Sequence, residues 1–272
     1  MFEDDIMHEA LGLFNLENKV IILTGGAGFL ASEFADVLSG AGASVVLADV
    51  NERECKRYAR ELEKRYAIQS MGVLVDLTDT GSIESMVSAV LSKFTKIDIL
   101  INNAAYNPQE KAYHVRFEDF SLESWNRILA VNLTGVFLCT QAVAKEMAKQ
   151  GYGNIINVSS IYGMVGADQR IYGTSGINSS AAYAASKAGV ANLTRYLSAY
   201  FEGKNIRVNT LTLGGVFNNQ DADFVRNYSN KTHLGRMANK SDYRGAILFL
   251  CSEASAYMTG SNLIVDGGWT AW

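Results

Sequence analysis

The sequence predicts an α/β fold: one doubly wound parallel sheet of about seven strands, with helices on both faces. Short runs rich in valine, isoleucine and leucine recur along the 272 residues and are apolar at consecutive positions. Strands of a parallel sheet show this pattern because helices cover both of their faces. Amphipathic stretches of helical length separate the runs, and this alternation is typical of parallel sheets.

The predicted strands and helices alternate along the chain. The strands are VIILT (20–24), SVVLAD (44–49), GVLVD (72–76), DILINNA (98–104), NIINVSS (154–160), IRVNTLT (206–212) and NLIVD (262–266). The helices are residues 32–43, 52–66, 82–94, 122–149, 181–201 and 241–250. No linker or repeat divides them, so we expect one domain over residues 13–272, preceded by an N-terminal arm of residues 1–12.

Composition and charge narrow the function classes. Hydrophobic residues make up 48% of the chain, which suits a large core, and the net charge of −4 does not indicate a nucleic-acid surface. The N-terminus lacks the apolar segment of a secretory signal, and no run of 18 apolar residues occurs. We therefore expect a cytoplasmic protein without a membrane segment.

The cysteines and histidines are few and scattered. An odd number of cysteines far apart predicts buried thiols in a reducing compartment rather than disulfides. We expect no metal site, because neither residue type shows the spacing of a ligand set. The residues are Cys55, Cys139 and Cys251, and His8, His114 and His233.

A glycine-rich turn, TGGAGFLASEF (24–34), joins the first predicted strand to the first helix. Gly25, Gly26 and Gly28 permit a tight turn and close approach of the backbone to a ligand. The helix N-terminus behind them offers free N–H groups and a positive dipole end, which suit a pyrophosphate. An ordinary turn is the alternative.

An acidic residue at the end of the second strand favours a dinucleotide-binding turn over an ordinary turn. Asp49 follows Gly25 by 24 residues, where a carboxylate accepts hydrogen bonds from adenosine ribose hydroxyls and repels a 2′-phosphate. Capping the next helix is its alternative role. The combination predicts a dinucleotide site that favours NAD over NADP, with Arg53 as the residue that weakens this preference.

Two further strand ends point to the same site, because open parallel sheets bind ligands at the carboxyl ends of their strands. Asp76 closes the third strand, where a carboxylate can meet an adenine amino group. Asn103, Ala104 and Ala105 close the fourth with small residues that let the backbone approach the cofactor. Ordinary loop chemistry is the alternative for each.

Tyr183 and Lys187 are the candidate catalytic pair. They lie four residues apart in YAASK, and therefore on one face of the predicted helix. A nearby ammonium lowers the pKa of a tyrosine from about 10, which makes the phenol usable as an acid or base. Such a pair alone is usually a solvated helix face, but the surrounding alanines indicate burial.

Ser160 and Asn132 complete the candidate set. Ser160 ends the fifth strand, where its hydroxyl can hold a carbonyl oxygen or cap a turn. Asn132 lies inside a long predicted helix, where asparagine is a poor helix former. We expect it either to distort the helix and hold a water molecule or to be exposed.

In order along the chain, these motifs resemble those of the short-chain dehydrogenase/reductase family. The similarity runs from about Leu13 to Trp272, through LFNLENKVIILTGG, VDLTD, INNAA, NIINVSS, YAASK, IRVNTLTLGGV and YMTGSNLIVDGGWTAW. Dehydrogenases of sugar-acid metabolism and of flagellin modification are loosely similar. The resemblance implies a Rossmann-type fold, hydride transfer with a nicotinamide cofactor, and a homotetramer or homodimer.

The resemblance also implies roles for particular residues. Tyr183 would be the proton donor and acceptor, and Lys187 would bind the nicotinamide ribose and lower the tyrosine pKa. Ser160 would orient the substrate oxygen, and Asn132 would anchor a water-mediated proton relay. The expected cofactor-binding residues are Gly25, Gly28, Phe29, Leu30, Asp49, Asp76, Leu77, Asn103, Ala104, Ala105, Tyr183, Lys187, Gly214 and Val216.

Several positions depart from the family pattern. TGGAGFLA has the glycine spacing of the extended, sugar-nucleotide branch, and Ala31 replaces the last usual glycine, which loosens the helix–strand contact. NNAA replaces the commoner NNAG. Leu213 stands where proline is usual before Gly214, so the loop beside the nicotinamide is set differently. None of these changes removes a catalytic group.

The segment between Ser160 and Tyr183 is longer than is usual in the family and contains an insert, GADQRIYGTSGINSS (166–180). We expect Arg170 and Tyr172 to contact a hydroxylated or phosphorylated substrate, with a surface or oligomer-contact loop as the alternative. Residues 216–237 form the second expected wall, where Asn218 is polar and suits a sugar or polyol.

We therefore expect an NAD(H)-dependent oxidoreductase that interconverts an alcohol and a carbonyl on a polar, carbohydrate-like small molecule. A reductase of acyl-thioester or small ketone substrates is the alternative within enzymes. The alternative outside enzymes is a non-catalytic dinucleotide sensor, which the intact Ser160, Tyr183 and Lys187 argue against.

Overall fold

A seven-stranded sheet forms the centre of the computed structural model, which describes residues 2–108, 110, 113–175 and 177–272. Its order is β3-β2-β1-β4-β5-β6-β7, and every neighbouring pair is parallel. The strands are β1 (Val20–Thr24), β2 (Ser44–Asp49), β3 (Ser70–Leu74), β4 (Ile99–Asn102), β5 (Gly153–Ser160), β6 (Ile206–Leu213) and β7 (Asn262–Val265). The strand order reverses between β1 and β4, and their carboxyl ends therefore border a crevice.

Helices cover both faces of the sheet, which confirms the predicted fold class. They are α1 (Phe2–Gly12), α2 (Ala31–Gly40), α3 (Glu52–Tyr66), α4 (Thr80–Phe94), α5 (Leu122–Leu129), α6 (Val136–Gln150), α7 (Ala181–Tyr200), α8 (Ala222–Ser229) and α9 (Arg244–Cys251). α2, α3 and α9 pack on one face around Phe34, Leu62 and Ile247. α4, α6 and the end of α7 pack on the other around Met86 and Val143.

The strand β1 shows why the apolar runs are continuous. Successive side chains of a strand point to opposite faces. Ile21 and Leu23 enter the core under α2, whereas Val20 and Ile22 enter the core under α4. All positions of β1 are buried, so none tolerates a solvated polar residue.

The third strand corrects a predicted boundary. β3 covers Ser70–Leu74 rather than residues 72–76, so Asp76 lies in the loop beyond the strand. Ser70 pairs with Val45 and its hydroxyl donates to the Val45 carbonyl at 2.6 Å. β3 is an edge strand and only partly buried, and its sequence therefore lacks the apolar run of a central strand.

The long predicted helix over residues 122–149 is interrupted. A π-helical segment, Ala130–Gly135, separates α5 from α6 and contains Asn132, whose side chain is buried. The expected distortion of the helix is therefore present. The whole stretch, Leu122–Gln150, is long and apolar enough to span a membrane by length and composition, but its buried face packs on the sheet as a core helix does.

The N-terminal arm is helical. α1 ends at Gly12, and Ile6, Met7 and Leu11 on it are each 65% exposed. The main domain begins after it, and Leu16 is the first residue of the buried core.

Candidate active site

A cavity of about 890 Å³ opens at the carboxyl ends of the central strands. The strands and loops that reach this edge of the sheet bring together residues that are up to 212 positions apart in the sequence, from Gly25 to Met237. Every residue predicted to bind the cofactor lines this cavity: Gly25, Gly28, Phe29, Leu30, Asp49, Asp76, Leu77, Asn103, Ala104, Ala105, Tyr183, Lys187, Gly214 and Val216.

The glycine turn between β1 and α2 approaches the loop after β4 closely. Gly25 has a φ of +67°, and a Cβ there would lie 2.8 Å from the Ala104 Cα. Asn103 holds the two loops together, because its Nδ2 donates to the Thr24 carbonyl at 3.0 Å. In the described part of the chain no side chain caps α2 at Leu30, and Phe29 and Leu30 line the cavity, where an anion would meet the positive end of the helix dipole.

Asp49 lies at the end of β2 and faces the same cavity. Its carboxylate accepts hydrogen bonds from the Ala27 amide at 3.2 Å and the Asn51 amide at 2.9 Å. Asn51, and not Asp49, caps α3. A carboxylate offers about four lone-pair sites, so Asp49 retains capacity for two ligand hydroxyls. Arg53 is exposed on α3 and does not line the cavity.

Asp76 reaches the cavity from the loop after β3. Its carboxylate accepts from the Thr78 amide at 2.9 Å and the Thr78 hydroxyl at 2.7 Å, and these bonds lower its pKa. The acid is therefore ionised and held in place by its neighbour. Asp76 therefore reaches the carboxyl edge of the sheet from the loop after β3 and not from the end of the strand itself.

Tyr183, Lys187 and Ser160 meet at the floor of the cavity. Ser180 caps α7 by accepting from the Tyr183 amide at 3.2 Å, which fixes the start of the helix that carries the pair. Lys187 is 3% exposed and donates from Nζ to the Val158 carbonyl at 2.9 Å. Its Nζ lies 5.8 Å from the centre of the Tyr183 ring. Tyr183 also has a hydrogen bond with Ser160.

Burial changes the pKa values of both Tyr183 and Lys187. Burial raises the pKa of Tyr183, and the hydrogen bond with Ser160 only partly opposes that increase. Burial lowers the pKa of Lys187 to about 8. The pKa of Tyr183 is thus raised overall, because loss of water outweighs the hydrogen bond with Ser160, and the expected influence of Lys187 on it stays a prediction.

Asn132 lies behind the cavity rather than in its lining. Its Oδ1 accepts from the Tyr106 amide at 2.6 Å, and its Nδ2 donates to the Tyr106 carbonyl at 3.1 Å and lies 3.4 Å from the Ser186 Oγ. The side chain therefore ties the π-helical segment to the loop after β4 and to α7. The predicted exposed alternative is wrong, since Asn132 is fully buried.

The residues predicted to bind substrate separate into two groups. Tyr172 lines the cavity, whereas Arg170 and Asn218 do not. The Arg170 guanidinium bonds to Asp168 through Nε and Nη2, both at 2.8 Å, and its side chain is 85% exposed. Asp168 thus holds Arg170 at the surface, and Arg170 does not act as the predicted partner of a substrate anion. Asn218 is exposed, and its amide donates to Gln220, which does line the cavity.

Lining residues that sequence reasoning missed form the wall opposite the glycine turn. They come from the turn after β5, from α8 and from the loop after it: Tyr162, Phe224, Tyr228 and Met237. The i,i+4 spacing of Phe224 and Tyr228 was the available signal for one aromatic helix face. The rings of Tyr228 and Trp269 stack with centres 4.2 Å apart, which anchors α8 to the C-terminal tail.

The insert packs on α8 and makes part of this wall. The rings of Tyr172 and Phe224 lie 5.3 Å apart, and the Asn227 Nδ2 donates to the Ile171 carbonyl at 3.3 Å. Asp168 also forms an ion pair with Lys231, just beyond α8. The insert is thus neither a free surface loop nor a source of a cavity-facing Arg170; it presents Tyr172.

The glycine cradle, the acid on β2 and the buried tyrosine–lysine pair define a class of protein: an α/β oxidoreductase with a dinucleotide site. A family model described as "Enoyl-(Acyl carrier protein) reductase" matches residues 27–270. The chain belongs to the short-chain dehydrogenase/reductase family, as its motifs predicted.

Individual relatives extend over nearly the whole chain. The flagellin modification protein A of Campylobacter coli is 32% identical over 93% of this chain and 99% of its own length. The D-threitol dehydrogenase of Mycolicibacterium smegmatis is 32% identical over 94% and 95%.

Two solved structures show the same architecture. A gluconate 5-dehydrogenase from Burkholderia cenocepacia, in complex with NADP and tartrate, has a TM-score of 0.87 at 29% identity and covers 97% of this chain and 99% of its own. A short chain dehydrogenase from Leptospira borgpetersenii with bound NAD+ has a TM-score of 0.82 at 36% identity and covers 94% of each chain.

Proposed function

We propose that the protein is an NAD(H)-dependent dehydrogenase that interconverts an alcohol and a carbonyl on a neutral, carbohydrate-like substrate. The observation that carries the proposal is the position of Tyr183. Its phenol, Ser160 and Lys187 face one cavity together with the complete set of predicted cofactor residues. A nicotinamide ring bound there supplies the acceptor or donor of the hydride.

Tyr183 moves the proton. Because burial keeps its pKa above the ordinary value, the phenol is protonated at neutral pH and can donate to a carbonyl oxygen as reduction proceeds. In the oxidation direction Tyr183 must first lose this proton and then accept that of the substrate hydroxyl. Ser160, through its hydrogen bond to Tyr183, holds the substrate oxygen next to the phenol.

Lys187 has two tasks in this proposal. Its Nζ is fixed by the Val158 carbonyl, which leaves further N–H groups for the hydroxyls of a nicotinamide ribose. Its positive charge favours the phenolate when Tyr183 ionises. Both tasks require the ammonium form, although burial lowers its pKa to about 8.

The cofactor preference for NAD rests on Asp49. A 2′-phosphate next to this carboxylate would place like charges together in a partly enclosed cleft, which costs binding free energy. The nearest candidate for offsetting that repulsion, Arg53, points to solvent on α3. One solved relative holds NADP and another holds NAD+, so the fold accommodates both cofactors, and we assign the choice in this chain to the side chain at position 49.

The substrate proposal rests on the wall formed by the insert and α8. Aromatic rings line it, and its phenols offer neutral donors and acceptors. Flat apolar faces with hydroxyl edges suit neutral polyols and rings that carry hydroxyl groups. The D-threitol dehydrogenase among the relatives acts by name on a neutral polyol, whereas the gluconate 5-dehydrogenase acts by name on a polyol that also carries a carboxylate. A reductase of acyl-thioesters remains the second candidate, in line with the description of the family model.

The test is a cofactor-coupled assay with a panel of polyols, sugars, ketoses and one acetoacetyl thioester. We expect the NADH absorbance to change with polyols or ketoses and Tyr183→Phe to lower kcat by a factor of about 100 or more. NADH affinity of that variant, measured by fluorescence, should stay within a few fold. Tyr257→Phe, at a fully exposed position, is the matched control.

Two outcomes would replace the proposal. Selective turnover of the thioester favours the second candidate. Tight NADH binding without turnover of any panel member favours a dinucleotide sensor. Full activity of Tyr183→Phe removes Tyr183 as the proton donor and acceptor.

A further inference from the structure

Two phenols that the proposed proton transfer does not use face the same cavity as Tyr183. Tyr162 lies in the turn Ile161–Gly163 directly after β5, and Tyr172 ends the turn Gln169–Tyr172 of the insert. Their hydroxyl oxygens are 3.5 Å apart. Hydroxyl pairs in proteins usually lie about 2.7–2.8 Å apart, so this bond is long and weak.

The pair has hydrogen-bonding capacity to spare. Both side chains are partly buried, and burial raises the pKa of each phenol, so both stay neutral and can donate as well as accept. Tyr172 also packs against Phe224, with ring centres 5.3 Å apart, which holds its ring in place. A ligand hydroxyl between Tyr162 and Tyr172 could give each of them a shorter bond than they make with one another.

The residues around Tyr162 and Tyr172 indicate the charge of a ligand group that could bind between them. Phe224, Tyr228 and Met237 also line the cavity and are all uncharged, and the lining arginine, Arg127, lies over the ring of Tyr106, 5.1 Å from its centre. The charged groups nearest in the sequence, Asp168 and Arg170, are paired with each other outside the lining. A neutral oxygen is therefore favoured over a phosphate or carboxylate, which would be poorly compensated here.

The pair also lies within electrostatic range of the reacting phenol. A charge on Tyr183 affects the ionisation of Tyr162, and Tyr172 affects that of Tyr183. Three phenols, from the turn after β5, the insert and α7, thus line one cavity.

We propose that Tyr162 and Tyr172 bind a second hydroxyl of the substrate, close to the carbinol that reacts at Tyr183, so that the enzyme selects neutral diols and polyols over simple alcohols. This inference rests on the proposed dehydrogenase function. It makes the insert a specificity element, because the insert supplies Tyr172 and holds it against α8.

The test compares matched probes that differ by one hydroxyl: cis-cyclohexane-1,2-diol with cyclohexanol, and butane-2,3-diol with butan-2-ol. For the wild type we expect kcat/KM to favour the diol by at least about tenfold, since a site built to bond a hydroxyl leaves its own groups unpaired with the analogue. Tyr162→Phe and Tyr172→Phe should each lower this ratio by about fivefold, mainly through KM of the diol. Tyr257→Phe should keep the ratio.

A second readout does not need turnover. Calorimetric titration of the diol into the complex of the enzyme with NADH should show weaker binding for Tyr162→Phe and Tyr172→Phe than for Tyr257→Phe. Equal kcat/KM for diol and simple alcohol in the wild type, or an unchanged ratio in both phenylalanine variants, overturns this inference alone. Absence of turnover with every alcohol of the wider panel overturns the dehydrogenase proposal as well.

Discussion

Replacement of Lys187 by methionine is expected to stabilise the fold. The side chain is 3% exposed, and its pKa falls from 10.5 to about 8 because burial disfavours the ammonium. A group that binds protons more weakly in the folded protein than in the unfolded chain costs stability wherever the unfolded form is charged. Lys187 therefore destabilises the protein at neutral pH.

The size of this effect follows from the shift in pKa. About 2.5 units at 1.36 kcal/mol each correspond to roughly 3 kcal/mol below pH 8. The variant also loses the hydrogen bond to the Val158 carbonyl, which lowers its stability by about 1 kcal/mol. Methionine fills a similar volume, so we expect Lys187→Met to be more stable than the wild type by about 2 kcal/mol at pH 7.

Urea unfolding at pH 7 and pH 10 measures this difference. The cost of the charge is fully present below about pH 8 and is lost as the pH rises towards 10.5, so the advantage of Lys187→Met should largely vanish at pH 10. Lys149→Met, at a site 72% exposed, should stay within about 0.5 kcal/mol of the wild type. A Lys187→Met variant that is less stable at pH 7, or whose advantage is independent of pH, would refute the reasoning.

Three further predictions concern the cofactor, the insert and the π-helical segment. Asp49→Asn should improve binding of NADPH relative to NADH by about tenfold, measured by fluorescence titration, because a like charge is removed; an unchanged ratio means that Asp49 does not face the ribose. Asp168→Asn should raise the substrate KM several-fold and speed proteolysis near α8, with NADH affinity retained, because the ion pair with Lys231 is lost; normal KM and proteolysis would contradict a role in holding α8. Asn132→Leu should lower the free energy of unfolding by about 2–4 kcal/mol, since it leaves buried groups of Tyr106 without partners; a loss under about 0.5 kcal/mol in urea unfolding would show that these bonds contribute little.

The accuracy of the sequence-based boundaries follows burial. β1 and β2 begin and end where predicted, because both faces of these central strands are covered and the apolar run therefore matches the strand. β3 is displaced by two residues because an edge strand is only partly buried and its start, Ser70 and Met71, carries no continuous apolar pattern.

The candidate site shows the same division between local and long-range information. Gly25, Asp49 and the Tyr183–Lys187 spacing could be recognised because each is a short motif next to a predicted strand or helix. The prediction that Arg170 contacts the substrate was wrong, because its guanidinium pairs with Asp168 instead. Sequence spacing does not show which of these two partners the side chain reaches.

The order of strands and helices, the glycine cradle and the spacing of the catalytic pair could be read from the sequence, because local periodicity and short-range spacing encode them. The tertiary structure alone decided that Tyr162 and Tyr172 share a cavity with Tyr183, and that α8 closes it. It also decided that Tyr183 is removed from water, which raises the pKa of its phenol. Contacts between distant segments and removal from water are properties of the packed chain, and no stretch of sequence contains them by itself.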